Sequence, residues 1–251
     1  MKPTFFERLK SSLSRRGLLG SVPHALRRLA RWPAELNRRR AWRAIEERFD
    51  RQYGVDTAGE VIVKTLKVDS PNVEYAVDYT AIAPGPFYEL MNQIPVDYER
   101  FLFIDFGCGK GRAMMMASAF PFKKIIGVEF SAQLLEVAKK NLRNYRSPTQ
   151  KCQAFELICQ DAMAYPIPPE PAVFYFGNPF GAEVMKHVAA HVAQSLVERP
   201  RPAFVVYYHP LAAAVWDGVD GLERLPIRQP TPTEFKKARA AAWVAKAGPK
   251  G

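Results

Sequence analysis

The sequence is poor in cysteine and has no long apolar run. Its 251 residues include only three cysteines, Cys108, Cys152 and Cys159, which form neither an even disulfide set nor a metal-ligand spacing. We therefore interpret them as reduced thiols and expect a cytoplasmic protein without a bound metal. No apolar run approaches the roughly 20 residues that span a bilayer, and no apolar signal core lies near the start. The sequence thus predicts no transmembrane segment.

Acidic residues are scarce in the first part of the chain. Residues 1–43 hold 12 Lys and Arg but only two acids, whereas the rest of the chain holds 24 basic and 23 acidic residues. The net charge of +11 therefore lies almost entirely in residues 1–43. Through residues 15–43 the arginines alternate with Leu, Val and Trp. We predict a basic amphipathic helical arm over residues 1–45 that contacts an anionic surface, either nucleic acid or membrane. A solubilising arm and an organellar transit peptide remain as alternatives.

The remainder alternates between apolar runs and amphipathic segments. Strands are predicted at 100–107, 123–130, 154–162, 172–180, 203–210 and 222–228, and helices at 86–95, 111–120, 132–145 and 182–198. This order is typical of an α/β fold with a doubly wound, mostly parallel sheet, and the proline-rich stretch at 163–171 predicts a loop crossover. We assign residues 46–99 to an N-terminal extension, in which Val61, Val63 and Leu66 indicate a short extended piece. Residues 100–230 are assigned to the main domain and 231–251 to a tail. The tail predicts either a helix or a disordered segment.

The stretch FIDFGCGKGR, residues 103–112, combines a strand with a glycine-rich loop. Glycines let the backbone turn sharply and approach a ligand closely. The dinucleotide-binding fingerprint does not fit, because Arg112 stands where its third glycine belongs. Asp105, two residues before the first glycine, suits a cationic ligand better than a pyrophosphate. We interpret Lys110 and Arg112 as solvated residues at the start of the helix.

These residues resemble the first motif of the class I S-adenosylmethionine-dependent methyltransferases, which have a Rossmann-like fold. Three further motifs follow in the family's order, in GVEF (127–130), CQDA (159–162) and FGNPF (176–180). The resemblance implies S-adenosylmethionine as the cofactor. In the family the second acid holds the ribose, and the residues after it and at the third motif line the adenine. The implied cofactor-binding residues are Asp105, Gly107, Cys108, Gly109, Gly111, Glu129, Phe130, Asp161, Ala162 and Asn178.

The fourth motif bears on the methyl acceptor. Asn178, Pro179 and Phe180 are similar to the Asn/Asp-Pro-Pro-aromatic motif of enzymes that methylate planar amines, but one proline is missing. YFGNPFGAEVMKHVAAHV is also similar to the non-SET histone-lysine methyltransferases, in which an N-terminal segment completes the cofactor site. That resemblance implies that Asn178 and Phe180 face the acceptor, and that VDYTAIAPG (77–85) brings Tyr79 or Thr80 near the methionine moiety.

Several functions remain open from the sequence. We favour methyl transfer to a nitrogen acceptor, with protein lysine ahead of RNA, DNA or a small molecule. A binding module that retained the fold without catalysis is the main alternative. Aminopropyl transfer is disfavoured because no acidic cluster lies near 178–180. His187 and His191 share a helix face, but HVAAH lacks the glutamate of a zinc-protease helix.

Overall fold

Seven strands form one sheet in the computed structural model, which describes residues 43–68, 70–232 and 239–246. In chain order they are β1 (Leu102–Phe106), β2 (Lys124–Glu129), β3 (Phe155–Cys159), β4 (Ala172–Phe176), β5 (Ala203–Tyr208), β6 (Leu222–Leu225) and β7 (Ala240–Ala245). Their order across the sheet is β3-β2-β1-β4-β5-β7-β6. Strands β1 to β5 are parallel, and β7 runs antiparallel to both β5 and β6. The predicted doubly wound, mostly parallel α/β fold is confirmed.

Helices cover both faces of the sheet. They are α1 (43–53), α2 (Pro84–Met91), α3 (Arg112–Ala117), α4 (Ala132–Asn144), α5 (Ala182–Glu198) and α6 (Ala213–Asp217). Short 3₁₀ turns cover Val63–Thr65, Pro71–Tyr75 and Tyr98–Arg100. The bounds of α5 agree with the prediction. Ser131 caps α4, since its hydroxyl accepts a hydrogen bond from the Leu134 amide. No helix among the described residues has the length and apolar character needed to cross a bilayer.

The alternation of side chains along each strand divides the core in two. On β1, Phe103 points into the cluster that includes α2 and α3, whereas Ile104 and Phe106 point into the cluster under α5 and α6. Asp105 and Phe103 share one face of the strand because they are two residues apart. The carboxyl ends of β1 and β4 lie side by side where the strand order reverses, which is the place where open α/β sheets bind ligands.

Two predictions about the periphery of the domain are corrected by the structure. The tail was expected to be a helix or disordered, but Ala240–Ala245 forms β7 between β5 and β6. The apolar residues near Val61 were expected to be extended, but Val63–Thr65 is a 3₁₀ turn, and extended pairing is limited to a bridge between Val61 and Tyr79. The predicted basic arm lies outside the described residues except for its last three positions, 43–45. Residues 45–251 form one compact unit.

Candidate active site at the carboxyl edge of the sheet

The glycine-rich loop connects β1 to α3 at the carboxyl edge of the sheet. Its three glycines all have left-handed backbone, with φ of 73° at Gly107, 54° at Gly109 and 84° at Gly111. Residues with a side chain rarely adopt this conformation, which explains a glycine at every second position. The amides of Gly107 and Cys108 both donate to the Val128 carbonyl, at 2.8 and 3.2 Å. These bonds tie the first turn of the loop to β2.

Two other segments occupy the space that side chains at the glycines would need. A Cβ atom on Gly107 would lie 2.3 Å from Pro179 Cβ, and one on Gly109 would lie 2.4 Å from Tyr79 Cδ2. The Tyr79 hydroxyl donates to the Thr57 carbonyl at 2.8 Å, which holds the ring in this position. Because Gly107 and Gly109 have no side chains, the N-terminal extension and the loop after β4 can pack directly on the glycine loop.

The extension and the loop after β4 are joined through their backbones. The Val77 amide donates to the Pro179 carbonyl at 3.0 Å, and the Gly181 amide donates to the Tyr75 carbonyl at 2.8 Å. Ala76 and Phe180 form an antiparallel bridge between these bonds. Of the two residues predicted to approach the cofactor from this segment, Tyr79 packs on the glycine loop, whereas Thr80 is exposed.

Asp105, the residue before the last of β1, is a buried acid without a hydrogen-bond partner among the described residues. Its side chain is 3% exposed, and burial, followed by the nearby charge of Glu129, raises the pKa of Asp105 to about 8. A buried carboxylate is costly unless it is paired. A cationic group at this point would remove the cost, as the α-ammonium of S-adenosylmethionine would. The observation fits the cofactor that the sequence resemblance implies.

Glu129 at the end of β2 is buried but well bonded. One carboxylate oxygen accepts from the Gly109 amide at 3.0 Å and the other from the Ser131 amide at 2.9 Å. Burial raises the pKa of Glu129, and these backbone hydrogen bonds offset part of that rise. Each oxygen keeps a further lone pair, so the group can still accept from two hydroxyls of a ribose.

The predicted adenine-lining residues follow β2 and β3. Phe130, Asp161 and Ala162 are all partly exposed at the sheet edge. Asp161 accepts from Ser70 Oγ at 2.6 Å, from Asn72 Nδ2 at 2.8 Å and from the Met163 amide at 2.9 Å. Burial raises the pKa of Asp161, but these three hydrogen bonds outweigh it, and the net shift is downward. Asp161 thereby ties the extension to the end of β3.

Cys108 and Phe180 are placed differently from what a ligand-facing role requires. The Cys108 side chain is 4% exposed, and burial raises the pKa of its thiol well above the usual range, so this residue is suited to contribute backbone only. Phe180 is 8% exposed and packs edge-to-face on Phe176, with ring centroids 6.2 Å apart. Its ring belongs to the core, so the acceptor role predicted for Phe180 has no exposed aromatic face to act through.

Asn178 lies at the turn after β4. Its φ of 61° is left-handed, which is uncommon for a residue with a side chain. The Tyr207 hydroxyl donates to Asn178 Oδ1 at 3.1 Å, so β5 orients the amide. Asn178 does not cap α5, whose N-cap residue is Gly181. The left-handed turn, which asparagine adopts more readily than most residues, and the hydrogen bond from Tyr207 together fix the position of this amide.

The interpretation of Lys110 and Arg112 as solvated residues is wrong. The Arg112 side chain is 1% exposed and contacts Asp50 at 3.1 Å and Thr57 Oγ1 at 2.6 Å. The Lys110 side chain is 11% exposed and contacts Asp56 at 3.0 Å. The physical reason is that α1 and the following loop cover the start of α3 and bring these polar partners with them.

Sequence reasoning also missed the polar residues that hold this part of the extension in place. Asn141 on α4 donates to the carbonyls of Asp56 and Lys110, and accepts from the Asp56 amide at 2.8 Å. The Asp50 carboxylate accepts from the amides of Thr57 and Ala58. The one available signal was the acid-rich stretch EERFD at 46–50, which could have been matched with the two cations of the glycine loop.

The two histidines at helical spacing do not form a metal site in the described chain. His187 and His191 are both exposed on α5. No group of three or more potential ligands comes together among the described residues.

The comparisons with known proteins agree with this arrangement. Residues 103–198 match the family model described as a methyltransferase domain. No curated protein matches the chain. Similar solved structures include a proposed S-adenosylmethionine-dependent methyltransferase from Listeria monocytogenes, with 12% identity, a TM-score of 0.47 and coverage of 64% of this chain and 97% of that one.

Two other solved structures with a lower TM-score are named for different substrates. An rRNA methylase from Streptococcus thermophilus has 15% identity and a TM-score of 0.42, covering 64% of this chain and 94% of its own. Magnesium protoporphyrin IX methyltransferase from Synechocystis, solved with bound cofactor, has 14% identity and a TM-score of 0.39, covering 58% and 70%. At such low identity, the resemblance does not identify an acceptor.

Proposed function

We propose that this chain is a class I S-adenosylmethionine-dependent methyltransferase and that it transfers a methyl group to a nitrogen acceptor held beside Asn178. The observation that carries the proposal is the anchored Asn178 amide at the end of β4. With one lone pair of Oδ1 engaged by Tyr207, the second can accept an N–H of the acceptor. An acceptor held in this way is oriented for an in-line attack.

The cofactor is proposed to lie across the carboxyl ends of β3, β2 and β1. When bound, S-adenosylmethionine supplies a methyl group that its sulfonium centre already activates. Asp105 accepts from the α-ammonium, Glu129 accepts from the ribose hydroxyls, and Phe130, Asp161 and Ala162 line the adenine. Gly107, Cys108, Gly109 and Gly111 contribute backbone, and Tyr79 covers Gly109 and helps to exclude water.

The geometry favours an aliphatic amine, such as the side chain of a protein lysine, over a planar amine. A planar base amine is usually held by an aromatic ring that stacks on the base. The candidate for that ring, Phe180, is buried against Phe176. An aliphatic amine needs no stacking partner. After its ammonium form loses a proton to solvent, a remaining N–H can donate to Asn178 Oδ1 while the nitrogen lone pair attacks the methyl group. We therefore place protein lysine first among nitrogen acceptors.

The charge distribution supports the same choice. Residues 44–251 hold 24 basic and 23 acidic side chains, so this part of the chain has little net attraction for a phosphate backbone. The arm carries the positive charge, and we propose that it brings the enzyme to an anionic surface. It would then act in recruitment rather than in the choice of the methylated atom.

The test combines methyl-tritiated S-adenosylmethionine with a cell extract and then digests parallel samples with protease or ribonuclease. Label that protease releases supports a protein acceptor. Label that ribonuclease releases would contradict it, and label confined to small molecules would place the acceptor there. In the same assay Asn178→Ala should lower transfer roughly 100-fold, as loss of one positioned hydrogen-bonding group does. Its affinity for S-adenosylhomocysteine should stay within about twofold.

Asn92→Ala serves as the matched control, because Asn92 is exposed at the end of α2. It should leave transfer and binding unchanged. An Asn178→Ala protein that transfers label at the wild-type rate would overturn the role of this amide. A variant that loses cofactor binding as well would assign Asn178 to the cofactor instead of the acceptor.

A further inference from the structure

Tyr175 on β4 carries a buried hydroxyl that the proposed reaction does not yet use. Its side chain is 1% exposed, and the hydroxyl has no hydrogen-bond partner among the described residues. Buried hydroxyls are almost always hydrogen-bonded, because an unsatisfied one loses its bonds to water without replacement. The ring is held firmly, stacked on Phe103 at 5.5 Å between centroids and edge-on to Phe87 at 5.6 Å. The hydroxyl therefore has a fixed position and an unmet need for a partner.

Asp105 is the direct neighbour of Tyr175 across the sheet. The two residues are register partners on β1 and β4, so their side chains stand on the same face of neighbouring strands. Burial raises the pKa of Tyr175, and the charge of Asp105 adds to that rise, so the two groups are within electrostatic reach. Neither group hydrogen-bonds to the other. Two polar groups without a hydrogen-bond partner among the described residues thus stand side by side on one face of the sheet near its carboxyl edge.

The neighbouring backbone leaves room for a ligand at this point. Gly177 follows two residues after Tyr175 and is exposed. A Cβ built on Gly177 would touch Tyr175 Cε1 at 3.8 Å and no closer atom of the described chain. The edge of the ring is therefore covered by a residue that has no side chain. A ligand group that lies beside Gly177 would therefore be close to the Tyr175 ring.

The chemistry of the two groups points to a zwitterion. A carboxylate accepts hydrogen bonds only, whereas a phenol can donate one to an anion. The amino-acid end of S-adenosylmethionine carries an ammonium and a carboxylate on the same carbon. With the ribose on Glu129 of β2, the ligand would run from β2 across β1 toward β4, so its amino-acid end reaches both groups.

We infer that the Tyr175 hydroxyl donates a hydrogen bond to the carboxylate of the cofactor's methionine moiety, beside an Asp105 that accepts from its ammonium. The inference rests on the proposed placement of the cofactor and adds a residue that recognises the carboxylate. It makes Tyr175 the group that distinguishes the intact amino-acid end from a decarboxylated one.

Calorimetric titration with three ligands tests this assignment. S-adenosylhomocysteine has the whole amino-acid end, decarboxylated S-adenosylmethionine lacks the carboxylate, and methylthioadenosine lacks both groups. Tyr175→Phe should lower the affinity for S-adenosylhomocysteine about tenfold, which corresponds to the loss of one hydrogen bond to a charged group. It should leave the other two ligands within twofold of the wild type. A Tyr175→Phe protein that binds all three ligands like the wild type, or weakens all three equally, would overturn the inference.

The matched control is Tyr98→Phe, whose hydroxyl donates to the Met91 carbonyl at 2.9 Å away from the sheet edge. It should weaken none of the ligands. If Tyr175→Phe does not fold, the wild type still decides, because it must prefer S-adenosylmethionine to the decarboxylated form by about tenfold. Equal affinity for these two would refute the carboxylate contact. These outcomes are separate from the acceptor proposal, which fails only in the transfer assay with Asn178→Ala.

Discussion

The ring of Tyr79 lies where a side chain on Gly109 would stand. The distance from a Cβ on Gly109 to Tyr79 Cδ2 would be 2.4 Å, far below van der Waals contact. Tyr79 belongs to the extension before the segment that matches the methyltransferase family model, and Gly109 belongs to the glycine-rich loop of the candidate site. The extension therefore packs directly on the glycine loop, and position 109 needs a glycine so that the Tyr79 ring can fit there.

Gly109→Ala should destabilise the protein by about 2 kcal/mol or more, because the new methyl group meets Tyr79 and the left-handed backbone becomes strained. The measurement is urea unfolding followed by circular dichroism, with S-adenosylhomocysteine binding as a second readout. Gly85→Ala is the control, since a Cβ at that helical position meets no atom within 4 Å. It should change stability by less than about 1 kcal/mol in either direction, because the proline that follows opposes the helix preference gained from alanine.

A second variant separates the clash from the backbone strain. In a protein that already carries Tyr79→Ala, Gly109→Ala should reduce the free energy of unfolding by less than it does in the wild type, because the ring that the new methyl group meets is absent. If the two losses simply add, the contact between these residues contributes nothing and the account of the loop is wrong.

Asp105 should give the free protein a distinctive pH dependence. Its pKa is about 8 in the folded state, above the 3.8 of an ordinary aspartate, so the folded state holds the proton more tightly. This contribution to stability is complete below pH 3.8 and is lost as the pH rises to about 8. The free energy of unfolding, measured with urea at pH 5 and pH 9, should fall less between these two pH values in Asp105→Asn than in the wild type. The exposed Asp220→Asn should keep the wild-type slope.

The same ionisation should control cofactor affinity in the opposite direction. Only the ionised carboxylate attracts the α-ammonium, so affinity for S-adenosylhomocysteine should rise roughly ten- to thirtyfold between pH 6.5 and 8.5, as a pKa of about 8 implies. Calorimetry on the wild type and on Asp105→Asn measures this. The variant should bind weakly at both pH values, and a wild type without pH dependence would argue against a contact between Asp105 and the ammonium.

Arg112 should be far more important for stability than its place at the start of α3 indicates. Its buried guanidinium contacts Asp50 and Thr57 and donates to the Glu46 carbonyl at 2.8 Å, and an ammonium cannot reproduce that fork. Arg112→Lys should cost about 3 kcal/mol, in the range for breaking a buried ion pair. The exposed Arg224, paired with Asp217 at 2.8 Å, offers the control. Arg224→Lys should cost less than about 1 kcal/mol in the same unfolding experiment.

These examples also show what the sequence could and could not predict. The glycine loop, α5 and the Ser131 cap were predictable because local spacing and capping chemistry determine them. β7 was not, since AAAWV has the composition of a helix, and only the open position between β5 and β6 makes it a strand. The burial of Arg112 depends on residues more than 50 positions earlier in the chain, and the lack of a partner for Tyr175 appears only when β1 and β4 are side by side.

The strand assignment of the tail can itself be tested. Trp243 on β7 is 1% exposed, packs near Trp216 and donates from Nε1 to Asp217 at 3.0 Å. Trp243→Ala should therefore cost about 3 to 5 kcal/mol, as other large truncations in a core do. Val197→Ala, at a position that is 78% exposed, should cost under about 0.5 kcal/mol. Equal small losses would show that the tail does not belong to the core.

The chemical stability of the transferred label tests the nitrogen acceptor most directly. Products labelled from methyl-tritiated S-adenosylmethionine would be treated with mild alkali and then hydrolysed in acid. The account predicts that the label survives alkali and is recovered as methylated lysine, and that Asn178→Ala lowers it roughly 100-fold. Release of the label as volatile methanol would identify a carboxylate oxygen as the acceptor and would contradict the role given to the Asn178 amide.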